Sequence, residues 1–236
     1  MKTVASFLKY LTRKFDPPTQ NWLGRKTPFS PEFGTDRGAA IDRKYIESFL
    51  AFHEKDIQGK MLEIGGDSYT YMFGKALNST AILAGPSESA RSICYPDGDL
   101  TDCRSLADLD KYDCVIATNV LNFIFDTHAA IRGLASLVQP DTGSVLVTVA
   151  GLAPISRFDY DRWGDFWRFN DMSMRQMFEL YFKNVTCIAY GNAPLAAAFI
   201  MGLSQEDVPA HLYEHNDPNY QIMIAVRAMN PKSIGE

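Results

Sequence analysis

The feature that most constrains the fold of this chain is a repeated alternation, from residue 41 onward, of short apolar runs with longer helical ones. KMLEI (60–64), TAILA (80–84), DCVIATNV (113–120), GSVLVTVAG (143–151), KNVTCIAYG (183–191) and YQIMIAVRAM (220–229) read as buried strands, bounded by turn residues. Between them, IDRKYIESFLAFHEK (41–55), TYMFGKAL (70–77), LADLDKY (106–112), HAAIRGLASLVQP (128–140) and MSMRQMFELYF (172–182) read as helices, the last capped by Asp171 or Ser173. Strands separated by helices predict an α/β, doubly wound, mostly parallel sheet.

Composition narrows the class. The 236 residues are 46% hydrophobic and 22% charged, ordinary for a folded chain long enough to bury a sizeable core. A net charge of −5 argues against a general nucleic-acid binder, which shows a basic excess. Cys94, Cys103, Cys114 and Cys187 form no CxxC pair, so the default is a reducing cytoplasm without a disulfide framework. No HxxxH-type pairing supports a metal site. Residues 1–40 read as an N-terminal extension and linker, and 41–236 as the main domain. Within the extension, residues 1–15 form a basic amphipathic helix with Val4, Phe7, Leu8, Leu11 and Phe15 on one face. Either that face packs on its own domain or it makes a peripheral membrane or partner contact.

In a doubly wound sheet, ligands bind beyond the carboxyl ends of the strands, near the reversal of strand order. The first strand ends there in Glu63-Ile64-Gly65-Gly66-Asp67-Ser68-Tyr69-Thr70. The two glycines allow close backbone approach. The GxGxxG fingerprint is never completed and no Walker lysine follows, which disfavours a pyrophosphate cradle and a nicotinamide oxidoreductase. An acid in the loop instead suits a ligand carrying an ammonium, as S-adenosylmethionine does. Asp99-Leu100 lies after a further strand expected between TAILA and DCVIATNV, where an acid accepts from an adenine amino group, and Thr118-Asn119 ends the next strand, VIATNV. Each of these has a bland alternative as a turn residue.

The chain resembles class I S-adenosylmethionine-dependent methyltransferases, in particular a small type 11-like group associated with glycan and cell-surface polysaccharide genes. The resemblance runs over roughly residues 29–228 and rests on particular residues. They are Arg37-Gly38 with Ile41-Asp42-Arg43-Lys44-Tyr45-Ile46-Glu47, Leu62-Glu63-Ile64-Gly65, Tyr69-Thr70, Phe73-Gly74 and Asp99-Leu100-Thr101-Asp102. Further along they are Tyr112-Asp113-Cys114-Val115-Ile116, Phe123-Ile124-Phe125-Asp126, Arg162-Trp163-Gly164-Asp165-Phe166-Trp167-Arg168-Phe169, Tyr190-Gly191-Asn192 and His215 with Asp217-Pro218 and Tyr220-Gln221. The Arg162–Phe169 segment is the most specific. The resemblance implies a Rossmann-like methyltransferase fold, S-adenosylmethionine as cofactor, and cofactor contacts from Glu63, Gly65, Gly66, Asp67, Tyr69, Thr70, Asp99, Leu100, Thr118 and Asn119. It also implies an N-terminal cover in which Arg43 or Tyr45 meets the cofactor carboxylate. One departure matters: the acid that normally ends the second strand and holds the ribose is absent. Ala84 stands 21 residues beyond Glu63, about where that acid is expected. Ser87 or Glu88 would have to substitute.

The acceptor side points to residues 156–169, which hold three acids, three arginines and two tryptophans. Aromatic faces stack on sugar rings, carboxylates accept from hydroxyls, and arginines grip phosphate or carboxylate. Asp161 and Asp165 are the leading candidates for general base, with Asp159 an equal rival and His215 another. Arg157, Asp159, Arg162, Trp163, Trp167 and Arg168 are the candidate substrate contacts. The bland alternative is a loop of internally paired Asp and Arg. The expected activity is O-methylation of a sugar or glycan intermediate, as in cell-surface polysaccharide biosynthesis, by a cytoplasmic enzyme. The alternative, motivated by the missing ribose acid, is a non-catalytic binding or scaffolding module of the same fold.

Overall fold

The computed structural model describes residues 2–18, 22–85 and 92–233. A first helix, α1 (Lys2–Phe15), precedes α2 (Ile41–Phe52), and the described residues between them form a short 3-10 helix (Trp22–Gly24) and a series of turns. There follow β1 (Gly59–Ile64), α3 (Ser68–Phe73), β2 (Leu77–Leu83), β3 (Ile93–Tyr95), β4 (Cys114–Thr118), α4 (Thr127–Leu137) and β5 (Ser144–Ala150). The chain continues through α5 (Arg157–Tyr160), α6 (Asp171–Glu179), β6 (Phe182–Tyr190), α7 (Ala193–Ile200) and β7 (Met223–Pro231).

The seven strands form one sheet in the order β3-β2-β1-β4-β5-β7-β6. Strands β1 to β5 pair in parallel, and β7 runs antiparallel between β5 and β6. The strand order reverses between β1 and β4, which opens a crevice beyond Ile64 and Thr118. One face of the sheet packs α4 and α6 through Ile131, Leu134, Met174 and Phe178. The other packs α2 and α7 through Tyr45, Phe49, Leu195 and Phe199. Both faces are therefore covered, which explains why the parallel strands read as continuous apolar runs.

Several local expectations change. Residues 106–112 make no helix; successive i to i+3 turns run from Asp102 to Leu109 instead. Side chains compete there for the backbone: Asp102 accepts from the Arg104 amide and Ser105 donates to the Asp99 carbonyl. Helix α6 is capped by Asn170, with Ser173 reciprocating as its third residue, so neither Asp171 nor Ser173 is the cap. Helix α7 was not anticipated, because its run is apolar all round. Its signature is Asn192, whose side chain accepts from the Leu195 amide, followed by Pro194 in the first turn.

The segment before α2 is held to the body by Arg37, which is fully buried. Its guanidinium donates to both carboxylate oxygens of Asp207, at 2.8 and 3.0 Å, and to the Asp16 carbonyl. Arg37 is thus a structural anchor for residues 29–40. Among the described residues, no helix is long and apolar enough to cross a membrane.

Candidate active site

The crevice at the strand-order reversal is a cavity of about 730 Å³, within the size range of small-ligand sites. Its wall brings together, from the anticipated set, Arg43, Glu63, Gly65, Gly66, Tyr69, Asp99, Leu100, Thr118 and Asn119, and from the acceptor loop Asp159, Trp163, Asp165 and Arg168. Residues that were not anticipated also line it, chiefly Asp42, Phe33, Thr35, Ser68 and Asn122.

The loop after β1 forms an open backbone cradle. Gly65 adopts φ +84, which glycine alone takes without cost, and nothing lies within 4 Å of where its Cβ would stand. Behind it, a Cβ on Gly85 would fall 2.5 Å from the Gly65 backbone, so the β2 loop can approach only as glycine. Glu63 is buried, but its carboxylate is engaged with the start of α3. It accepts from the Thr70 amide at 2.7 Å and the Tyr69 amide at 3.3 Å. Burial raises its pKa despite those bonds. Glu63 therefore shapes the loop more than it offers a hydrogen bond to a ligand.

Asp67 and Thr70 are buried and are not on the cavity wall; Asp67 accepts from Ser92 at 2.9 Å. Neither side chain thus lines the cavity where the cofactor contacts were expected. Asp99 is on the wall, where one carboxylate oxygen accepts from the Thr101 amide and hydroxyl, both at 2.8 Å. Just past β2 comes Ala84, at a left-handed φ of +56, and it also lines the cavity. Ser87 and Glu88 lie outside the described residues.

Helix α2 divides its residues between cavity and core. Asp42 and Arg43 line the cavity, whereas Tyr45, two positions on, is buried against Tyr190 and Tyr213. Burial pushes the Tyr45 hydroxyl up to about 12, and it has no hydrogen-bond partner. Of the two residues expected to meet the cofactor carboxylate, Arg43 or Tyr45, the helical period thus brings Arg43 to the cavity and Tyr45 to the core. Arg43 donates to the Tyr69 hydroxyl and stands over that ring. Asp42 accepts from the Asn119 side chain at 3.2 Å, and burial raises its pKa against the opposing pull of Arg43. Asn119, just past β4, has φ +53, a conformation Asn tolerates better than most residues. Its amide turns the NH2 to Asp42, which leaves Oδ1 buried without a partner. A buried acceptor of this kind calls for a donor from a ligand.

The acceptor loop is tied together internally. Asp165, its side chain 1% exposed, accepts from the Ser156 amide at 2.9 Å and from both terminal nitrogens of Arg168. Burial disfavours its charge, but the Arg168 hydrogen bonds outweigh that and hold the carboxyl below the ordinary range. The remaining Arg168 donors go to the carbonyls of Ala153, Pro154 and Trp167. All five N–H groups are committed, so Arg168 is a structural knot and is not free to clamp an anion. A depressed, doubly engaged carboxylate is likewise poorly suited to take a proton. Asn122 completes the knot by accepting from the Ala150 amide and donating to the Trp167 carbonyl.

Other expected contacts sit elsewhere. Asp161 is exposed and paired with Arg157 at 3.3 Å, and Arg157 lies on the Tyr160 ring. Arg162 is folded over Phe158. Trp167 stacks on Phe125 and donates to its carbonyl. His215 is exposed and follows a short helical turn, with its carbonyl accepting from Asn192. None of these five residues, Arg157, Asp161, Arg162, Trp167 and His215, is on the cavity wall. For the four loop residues the cause is shared: the sequence places them among wall residues, but local pairing and stacking engage them elsewhere. Asp159 does face the cavity, and accepts from the Ser156 hydroxyl at 2.5 Å. Trp163 is on the wall and still half-exposed.

No family model and no curated protein sequence matches the chain. Solved structures do match its fold. The N-methyltransferase NodS from Bradyrhizobium japonicum WM9, in complex with S-adenosyl-L-homocysteine, is similar with a TM-score of 0.52 at 12% identity, over 95% of this chain and 100% of that one. A SAM-dependent methyltransferase from Archaeoglobus fulgidus is similar with a TM-score of 0.50 at 11% identity, over 80% and 94%. A Haloferax volcanii complex of the Trm112 methyltransferase activator and a putative methyltransferase matches with a TM-score of 0.50 at 13% identity, over 81% and 94%. The chain has the Rossmann-like fold of class I methyltransferases.

Proposed function

We propose that the protein is an S-adenosylmethionine-dependent methyltransferase that acts on a hydroxyl of a sugar or glycan intermediate, as in the polysaccharide-associated group its motifs resemble. The observation that carries the reading is the cavity at the strand-order reversal, with an open glycine cradle on one side and the Asp42–Asn119 pair on the other. The similarity in fold to NodS, whose structure holds S-adenosyl-L-homocysteine, supports the choice of cofactor.

The residues fit such a cofactor. Gly65 and Gly66 leave room for close backbone approach, Asp99 offers an acceptor beyond β3, and the orphaned Asn119 Oδ1 calls for a donor. When bound, S-adenosylmethionine supplies an electrophilic methyl group on a sulfonium. The protein's part is to align the acceptor, exclude water and accept a proton from the attacking hydroxyl. Asp42 is the carboxylate we assign to that proton: it faces the cavity, Asn119 orients it, and burial raises its affinity for protons. Asp159 and Trp163 form the acceptor wall, with a hydroxyl acceptor and a ring face to stack on.

The absence of an acid at Ala84 favours a second reading, a non-catalytic module of the same fold. Incubation with labelled S-adenosylmethionine and a panel of nucleotide sugars and lipid-linked glycans separates the two. Label transfer to one class of acceptor supports the enzyme, and cofactor binding without transfer to any acceptor supports the module.

A further inference from the structure

Helix α1 is held to the domain by its cationic side. The Lys9 ammonium donates to the Gly38 carbonyl at 3.0 Å, and the Arg13 guanidinium donates to the Arg37 carbonyl. The opposite stripe is left in water: Val4, Phe7, Leu8 and Phe15 are 57–80% exposed. A surface helix of a globular domain does the reverse and buries its apolar stripe. At about 21 Å long, α1 therefore presents a row of large apolar side chains away from the body that anchors it.

Charge selects the occupant. Residues 2–15 contain Lys2, Lys9, Arg13 and Lys14 and none of the 28 acidic residues, so the rest of the chain carries a net −9. A second copy docking face to face would bring two acid-free cationic helices together, which like charge disfavours. An anionic bilayer surface meets both properties at once, taking the apolar stripe into the headgroup boundary while attracting the exposed Lys14 and the net positive charge of the helix, whose Lys9 and Arg13 stay on the domain side. The acidic body is repelled by the same surface, so the helix leads. We propose that α1 is a peripheral docking element for anionic membrane surfaces. The proposal does not depend on the methyl-transfer reading.

The test is co-sedimentation of the full chain with vesicles of phosphatidylcholine alone or mixed with phosphatidylglycerol. The expected result is partition onto the mixed vesicles and little onto phosphatidylcholine. A Phe7→Ser/Leu8→Ser double variant should lower that partition roughly tenfold or more, and Lys14→Glu by about fivefold or more. Thermal melting and calorimetry with S-adenosylmethionine should be unchanged in both variants. Wild-type protein that stays in the supernatant with both vesicle types would overturn the proposal. So would a double variant that partitions like wild type, or a wild-type dimer that becomes monomeric on Phe7→Ser/Leu8→Ser, which would make the stripe a self-interface.

Discussion

The two walls of the cavity are built on different principles. The wall beyond β1, β2 and β3 is mostly backbone and small residues: Gly65, Gly66, Ala84 and the Asp99 turn. The wall from residues 153–168 is made of larger side chains bound to one another and to the loop's own backbone, with Asp165 and Arg168 at the centre of the knot and Asn122 joining it from outside the loop. The first wall is shaped to admit a ligand closely. The second is shaped to hold its own form, and offers a ligand only Asp159, Trp163 and whatever the knot leaves facing inward. Asp42 belongs to neither wall; it enters from α2 and sits opposite Asn119 at the seam between them. A charged motif is thus a weaker guide to chemistry than a carboxylate whose bonds leave it able to act.

The largest expected effect is at the seam. Asp42→Asn should lower kcat by about 10²–10⁴-fold, the range for loss of a general base, while leaving cofactor affinity within a fewfold. A full-rate Asp42→Asn enzyme would return the base role to the acceptor loop. The same residue sets a pH dependence. A base must be ionised, and burial raises the Asp42 pKa. Activity should therefore fall on acidification at a pH above that of an ordinary carboxylate, near 4, and the pH–rate profile of Asp42→Asn should lack that limb.

Next is the knot. Asp165→Ala leaves Arg168 without its carboxylate and should destabilise the fold by about 2–3 kcal/mol in denaturant unfolding, less than for a fully buried pair because Arg168 is 25% exposed. Since the Asp165 pKa is depressed in the folded state, the pair's contribution is present above the unfolded carboxylate value and is lost as pH falls through the folded one.

On the backbone wall, Ala84→Asp restores an acid where a ribose would lie. Asp tolerates the left-handed backbone there, so cofactor affinity should rise about tenfold by calorimetry. The smallest effect is outside the cavity: Asp161→Asn should change stability by less than about 0.5 kcal/mol and leave the transfer rate unchanged. A large loss of rate there would break the distinction between wall and surface.

The central strands were legible in the sequence because they are apolar on both faces, and the binding crevice followed from the order of strands and helices; β3, only Ile93–Tyr95 and not buried, carries no such run. Local elements without a period were not legible. Helix α7 is apolar all round, and residues 106–112 satisfy their backbone through turns that Asp99, Asp102 and Ser105 supply. At the site, the glycine cradle and Asp99 were readable as a strand-end motif. Internal pairing of Asp with Arg in the acceptor loop was readable as one of two alternatives, and Asp165–Arg168 bears it out; which acid takes which arginine was not, since the bonds to Ser156, Ala153 and Pro154 that fix the pair belong to the folded loop. Asp42 was passed over because its significance comes from Asn119, 77 residues away.

The most direct measurement is a calorimetric titration of the intact chain with S-adenosylmethionine, repeated with Asp42→Asn and Asp99→Ala. The account predicts one saturable site in the wild-type protein, preserved in Asp42→Asn and weakened about tenfold in Asp99→Ala. No heat in the wild-type protein at high micromolar cofactor would contradict it.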